Sequence, residues 1–311
     1  MLNFTIKQLR YVEAAGRLGS IAKAAAEMNI SQSSITAAID ALEQSLDYDI
    51  FVRTPAKGIK ATPAGLETLQ HIRGFMDQSR HFESEIQSVG GAAAGLVRIA
   101  CYATAAPSFL PPILKSLTEK IPGVSVTFLE GDMLEVTDFL ENGEADLAFT
   151  YLPDVESKFR FEPLFEAPPY ALLSTEDPLS WQESVTLDEL AERPMILLDL
   201  PMTRDYFGRL FAEKSLYPKI VHTSRSSEIC RSLVASGVGF TILNICPPEN
   251  VGDGAPYHAV PISSEDRAPV FGIVTLANVR QPKTVRATWQ CCLELKQSDA
   301  FEKIVVQRPE S

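Results

Sequence analysis

The sequence predicts a multidomain protein of α and α/β class. Three observations carry that expectation. The chain is 311 residues long, which at roughly 100–200 residues per domain suggests two domains or three small ones. Its first 90 residues carry helical periodicity, whereas strands alternate with helices from Leu96 onward. The charge is also unevenly placed: the net charge is -12, yet residues 1–60 hold seven basic and six acidic side chains and are almost neutral. The remainder holds 21 basic and 34 acidic side chains. The summed acidity, which argues against a polyanionic partner, therefore belongs to the rest of the chain and not to its first 60 residues.

In the N-terminal segment, Leu9, Val12 and Ala15 stand at helical spacing. Ser20 is placed to cap a second, alanine-rich helix, Ile21–Met28. Ser31 is placed to cap a third, Gln32–Leu46, in which Ile35, Ala38, Ile39, Leu42 and Leu46 form one apolar stripe. Two short helices joined by a tight turn make a helix-turn-helix pattern. The extended run Ile50–Arg53 and the Pro/Gly hairpin Thr54–Lys60 read as a wing. Thr62-Pro63 then opens a long helix to about Val89. Ile72, Phe75, Ser79, Phe82, Ile86 and Val89 repeat at 3, 4, 3, 4, 3, a heptad seam that predicts pairing with another helix. Ile72, Phe75, Phe82 and Ile86 are the expected dimerisation residues. Gly90–Gly95 reads as a hinge. Beyond it, the alternation of strands and helices predicts a parallel sheet covered on both faces.

The stretch Gly19–Gly65 resembles the winged helix-turn-helix of LysR-type transcriptional regulators. Gly19-Ser20, Ala24-Ala25, Ser31-Gln32, Ile35, Ile39, Leu42-Glu43, Leu46, Phe51, Arg53, Thr62 and Ala64-Gly65 carry the likeness in order and spacing. The resemblance extends through Leu96–Ile99, Leu110-Pro111, Pro122–Val124, Gly143–Ala148 and Leu233–Gly239. It implies a winged helix-turn-helix over 1–61, a linker helix over 62–89, a hinge over 90–95 and an effector-binding domain over 96–311. That last domain would be a pair of Rossmann-like subdomains of periplasmic-binding-protein type. Subdomain I would cover about 96–167 and 268–300, and subdomain II about 168–267.

The implied DNA-contacting set is Ser20, Ser31, Gln32, Ser33, Ser34, Thr36, Arg53, Lys57 and Lys60. Arg53 would anchor a phosphate, and the lysines would track the backbone or minor groove. The third helix departs from the family pattern: it holds no Lys or Arg from Gln32 to Leu46. Base readout is thus expected from Ser, Gln and Thr, with modest affinity per head. An isolated head binding more tightly than roughly nanomolar at physiological salt would contradict this.

Ligands of open α/β sheets bind beyond the carboxyl ends of strands, beside helix N-termini. That rule selects Ala103, Thr104, Gly131, Asp132 and Tyr151 in the first subdomain. In the second it selects Met202, Thr203, Arg204, Arg225, Ser226 and Asn244. Thr104 and Thr203 are expected to face each other and hold a carboxylate, with Arg204 or Arg225 adding charge, whereas Glu130, Asp132 and Glu228 instead favour an amine, so the charge of the effector stays open at this point. The expected partners are double-stranded promoter DNA, a small carboxylate or amino-acid-like effector, a second copy of the chain in a homodimer or homotetramer, and RNA polymerase.

The four histidines lack metal-ligand spacing, and no GxSxG, Walker or GxGxxG string occurs, so no enzyme activity, metal or cofactor is expected. No apolar run reaches the ~20 residues of a membrane span, and MLNFTIKQLR does not read as a signal peptide. Five cysteines fit a reducing, cytoplasmic compartment. Two other readings stay open at this point: a regulator with a redox input through those thiols, and a binding protein or enzyme that uses the cleft alone.

Overall fold

A computed structural model describes residues 4–54, 58–87, 93–151, 157–247, 256–264 and 266–308. The chain divides into two compact units, Met1–Ile86 and Gln87–Ser311.

In the first unit, α1 spans Ile6–Leu18 and begins in a capping box: Thr5 Oγ1 accepts from the Gln8 amide while the Thr5 amide donates to Gln8 Oε1. Gly19, at φ +59°, turns the chain out of the helix. Ser20 caps α2 (Ile21–Glu27) and Ser31 caps α3 (Gln32–Leu46). The two-stranded wing follows as β1 (Phe51–Thr54) and β2 (Gly58–Ala61), paired antiparallel from Phe51↔Ala61 to Thr54↔Gly58. The long helix α4 spans Pro63–Gln87. Leu9, Val12, Ala15, Ile35, Ile39, Leu42 and Ile50 form the core, closed from α4 by Leu69, Ile72 and Met76.

That core corrects the heptad seam. Ile72 is 6% exposed and packs inside its own unit, whereas Phe75, Phe82 and Ile86 stand 46%, 65% and 53% exposed. One face of α4, with Leu69, Ile72 and Met76, serves the head, whereas Leu66, Phe75, Phe82 and Ile86 are turned outward. Val89 lies outside the described residues.

Gly65 fixes the junction between wing and α4. A Cβ there would lie 2.0 Å from the Ile50 carbonyl oxygen, which already accepts from the Thr62 amide at 2.9 Å. The Gly65→Ala variant is expected to lose about 1–3 kcal/mol or more of head stability, because the clash is with backbone. Thermal unfolding of the variant, read by circular dichroism, checks this; an unchanged midpoint contradicts it.

The second unit opens with β3 (Gly95–Tyr102), α5 (Ala106–Lys120), β4 (Val124–Gly131), α6 (Met133–Glu141), β5 (Leu147–Tyr151) and β6 (Phe159–Glu166). It crosses into β7 (Tyr170–Ser174), α7 (Leu187–Ala191), β8 (Pro194–Leu198), α8 (Pro201–Ala212), β9 (Lys219–Ser224), α9 (Ser227–Ala235), β10 (Thr241–Leu243) and β11 (Tyr257–Pro261). It then returns through β12 (Val270–Leu276) and α10 (Lys283–Gln297).

The first layer is a five-stranded sheet in the order β4-β3-β5-β12-β6. Its β3, β4 and β5 are parallel, but β12 runs antiparallel to both β5 and β6. The expected all-parallel sheet is therefore mixed, because the returning strand enters from the opposite end. The second layer pairs β10, β7 and β11 antiparallel and β8 with β9 parallel. A bridge between Met195 and Phe240 joins the two groups.

Phe109, on α5, is the centre of an aromatic cluster. Its ring centroid lies 4.8 Å from Phe149, 5.0 Å from Phe271 and 4.8 Å from Phe301. Two crossovers connect the layers, and the Ala167 amide donates to the Pro269 carbonyl at 2.9 Å where they run side by side.

Candidate nucleic-acid interface and ligand cleft

On the head, α3 presents its N-terminus to solvent. Ser31 Oγ accepts from the Ser34 amide at 3.2 Å and lies 2.8 and 2.9 Å from the hydroxyls of Ser33 and Ser34. These three serines and Gln32 are exposed, and Thr36 is half-buried one turn later. Ser20 is half-buried and its hydroxyl accepts from the Lys23 amide. Lys60 is exposed on the wing, and Lys57 lies outside the described residues.

Arg53 corrects the picture of a free phosphate anchor. Its Nη2 donates to Asp40 and stands 3.8 Å from Glu43. The acidic positions on α3 reach across to β1 and hold the guanidinium. Glu43 has a further structural duty, since its Oε1 accepts from the amides of Ile50 and Phe51 at 2.8 and 3.0 Å.

In the second unit the two layers meet at a cleft. The Tyr102 hydroxyl, at the end of β3, lies 2.7 Å from Thr203 Oγ1 in the first turn of α8. Both groups are buried. Beside this bond is a cavity of about 130 Å³ walled by Tyr102, Met133, Tyr151, Met202, Thr203, Tyr206, Arg209, Asn244, Pro269 and Val270. A water-sized space of about 10 Å³ adjoins it at Thr104, Arg231 and Asn244. Asn244 Nδ2 donates to the Ala167 carbonyl at 2.8 Å and so ties the cleft to the crossover.

Burial raises the pKa of Tyr102, against the lowering pull of hydrogen bonds with Thr104 and Thr203. Burial also pushes Tyr151 well up and Tyr206 to about 12. All three phenols are thus neutral near pH 7, able to donate as well as accept.

Of the residues selected by the strand-end rule, Thr104, Tyr151, Met202, Thr203 and Asn244 meet at these two spaces. The others line neither. Thr104 and Thr203 do not form an open carboxylate clamp, because Thr203 is engaged by Tyr102. Arg204 is exposed and turned to Asp199 and Asp205 at 3.1 and 3.3 Å, carboxylates within its own helix and the strand end before it. Ser226 caps α9. Gly131 is packed against Glu135 and Phe139, and its carbonyl accepts from the Ala103 amide at 2.9 Å.

Asp132 and Arg225 satisfy each other: Arg225 Nη2 lies 3.2 Å from Asp132 Oδ2, joining the start of α6 to the turn before α9. Asp132 also caps α6 through its other oxygen. The residues missed are Tyr102, Met133, Tyr206, Arg209, Arg231, Pro269 and Val270. Tyr102 is the last strand residue rather than the first beyond it. Tyr206 recurs three residues after Thr203 and Arg209 three after that, a helical spacing that could have found them.

The five cysteines are buried and free. Burial pushes Cys101 and Cys292 strongly up and Cys230 to about 11, so these thiols stay protonated near neutrality. The native protein at pH 8 is therefore expected to react far more slowly with a thiol-specific disulfide reagent than the protein unfolded in guanidinium. Rapid titration of even one native thiol contradicts this. Among the described residues, no three His, Cys, Asp or Glu side chains group to hold a metal, and no helix is long and apolar enough to cross a membrane.

Residues 90–297 match the family model for the LysR substrate binding domain, and residues 6–66 match that for the bacterial regulatory helix-turn-helix protein of the lysR family. The HTH-type transcriptional regulator CysB of Haemophilus influenzae is 29% identical over 76% of this chain and 74% of its own length. The probable HTH-type transcriptional regulator LrrA of Synechococcus elongatus is 28% identical over 91% of this chain and 94% of its own. The crystal structure of HinK, a LysR family transcriptional regulator from Pseudomonas aeruginosa, superimposes with a TM-score of 0.62 at 31% identity, covering 94% of this chain and 99% of that one.

Proposed function

Because the chain belongs to the LysR family of transcriptional regulators, with a DNA-binding helix-turn-helix and an effector-binding domain, we propose how its own residues serve that function. The carrying observation is the cleft closed by the Tyr102–Thr203 hydrogen bond, with the Asp132–Arg225 ion pair also joining the two layers. A small effector in the 130 Å³ cavity contacts both layers at once. It binds one relative pose of the layers better than another, and that difference is what shifts the population.

The walls suit a carboxylate or amino-acid-like metabolite with an apolar body. Met133, Met202, Pro269 and Val270 pack the body, while the phenols of Tyr151 and Tyr206 donate to its oxygens, as does the Thr203 hydroxyl, which accepts from Tyr102. On the head, Ser31, Gln32, Ser33, Ser34 and Thr36 read base edges and phosphates, with Ser20, Lys57 and Lys60 contacting the backbone. Phe75, Phe82 and Ile86 pair two copies through α4, in a homodimer or a homotetramer. The protein works in the cytoplasm at promoters beside RNA polymerase, and it catalyses no reaction.

A thermal-shift screen of metabolites, followed by footprinting of the protein's own promoter with and without each hit, tests the reading. A hit is expected to change the protected region. Thr203→Val is expected to abolish that change while leaving effector-free protection intact. Absence of protection at every site and every effector level would sink the proposal.

A further inference from the structure

We propose that the C-terminal tail builds a second ligand site, distinct from the cleft, which takes a small molecule carrying both a carboxylate and a cationic amine. The tail after α10 is held by apolar anchors: Phe301 and Ile304 are buried in the main core, Val305 and Val306 pack on it, and the Cys246 amide donates to the Ile304 carbonyl at 2.9 Å. These anchors bring Arg308 to the crossovers, where its Nη1 donates to the Asp266 carbonyl at 2.8 Å. The other edge of the guanidinium, Nε with Nη2, is shielded from water and has no hydrogen-bond partner among the described residues. That edge is the fork that grips both oxygens of a carboxylate, and leaving it empty away from water is costly.

Arg308 lines a cavity of about 530 Å³, the size of a metabolite site. Phe165 and Ala268 give it an apolar wall, Glu166, Asp299 and Glu302 are exposed carboxylates around it, and Arg267 and Lys296 are the other cations there, with Lys296 donating to the Pro163 carbonyl at 2.6 Å. The four carboxylates that line the cavity, Asp266 included, outnumber its three cations, so a ligand with an ammonium group several bonds from its carboxylate satisfies both the Arg308 fork and the acidic wall. The site touches the crossovers, and the Arg308 charge is felt at Tyr206 on the cleft wall. The site lies outside the cleft, which goes beyond the effector reading above.

The test is a titration of the full chain with 5-aminovalerate and with glutarate, which has the same carbon number but a second carboxylate in place of the amine. Unfolding midpoints are read at constant ionic strength. A saturable rise with 5-aminovalerate is expected, with glutarate at least severalfold weaker. Arg308→Gln should weaken 5-aminovalerate at least tenfold and, since the anchors are apolar, leave the ligand-free midpoint close to wild type. Thr203→Val should not alter the titration.

The proposal is overturned by no saturable shift with either probe, by glutarate matching 5-aminovalerate, or by an unchanged titration in Arg308→Gln. Loss in Thr203→Val places the probe in the cleft, overturning the second site while leaving the effector reading standing. A response only after deletion of residues 309–311 shows that the chain's own carboxylates fill the fork, and overturns it too.

Discussion

Asp40→Asn is expected to tighten DNA binding and steepen its dependence on salt. In the head as it stands, Asp40 and Glu43 hold the guanidinium of Arg53 between α3 and β1. Removing the Asp40 charge deletes a repulsion towards phosphate and frees the Arg53 guanidinium to reach one. Each added phosphate contact increases the magnitude of the slope of log K against log salt by about 0.9, so a dimer with two heads gains up to about 1.8. Most of the gain should appear on non-cognate duplex, because phosphates carry no sequence information. Fluorescence anisotropy between 50 and 200 mM salt, a range over which phosphate contacts dominate, measures the slope. An unchanged slope, or a gain that survives Arg53→Ala in the same background, contradicts the argument.

Phe109→Ala should produce the largest loss of stability. The ring is fully buried and touches Phe149, Phe271 and Phe301, so its removal breaks contacts among α5, β5, β12 and the C-terminal tail together. Truncating such a ring costs about 3–5 kcal/mol. For a unit of this size, that lowers its unfolding midpoint by roughly 6–20 °C. Calorimetry should show the transition of the second unit moving while that of the head stays in place. A shift below roughly 2 °C means that the cluster repacks around the void, and refutes the central position given to Phe109.

The two helices whose expected ends match the observed ones show what a sequence transmits well. Expectation and structure agree on α3, Gln32–Leu46, because Ser31 caps one end and the stripe from Ile35 to Leu46 fills the body. The last helix, Lys283–Gln297, starts after Pro282 without a side-chain cap. Helix α5 begins at Ala106, since Pro107 in its first turn costs no helical bond.

Strands were less legible. β6 contains Pro163 and three charged residues, and β9 is a mostly exposed strand paired, among the described residues, with β8 alone, so neither shows an apolar run. The direction of β12 was hidden as well. Periodicity reports where a strand lies, not which neighbours it joins.

The cleft was half visible for a related reason. Thr104, Tyr151, Met202, Thr203 and Asn244 come from strand ends and one helix start, which the chain marks locally. Pro269 and Val270 reach the same cavity from the end of a crossover and the start of β12, more than a hundred residues from Tyr151. Ile72 shows the converse limit. Its spacing fits a pairing seam, and only the packing reveals that the head already uses it.

The place of β12 in its sheet carries a consequence for how the protein is made. A ribosome delivers the head first, and that unit holds a complete core of its own. The five-stranded sheet is different: its fourth strand, Val270–Leu276, emerges only after the whole second layer has been synthesised. Until then β5 and β6 have no partner between them, and their edges are open to wrong pairing. A message broken or terminated before residue 270 therefore yields a folded reader of DNA attached to an unfinished sensor. Such fragments would occupy promoters without answering to any effector, so the cell has reason to degrade them quickly.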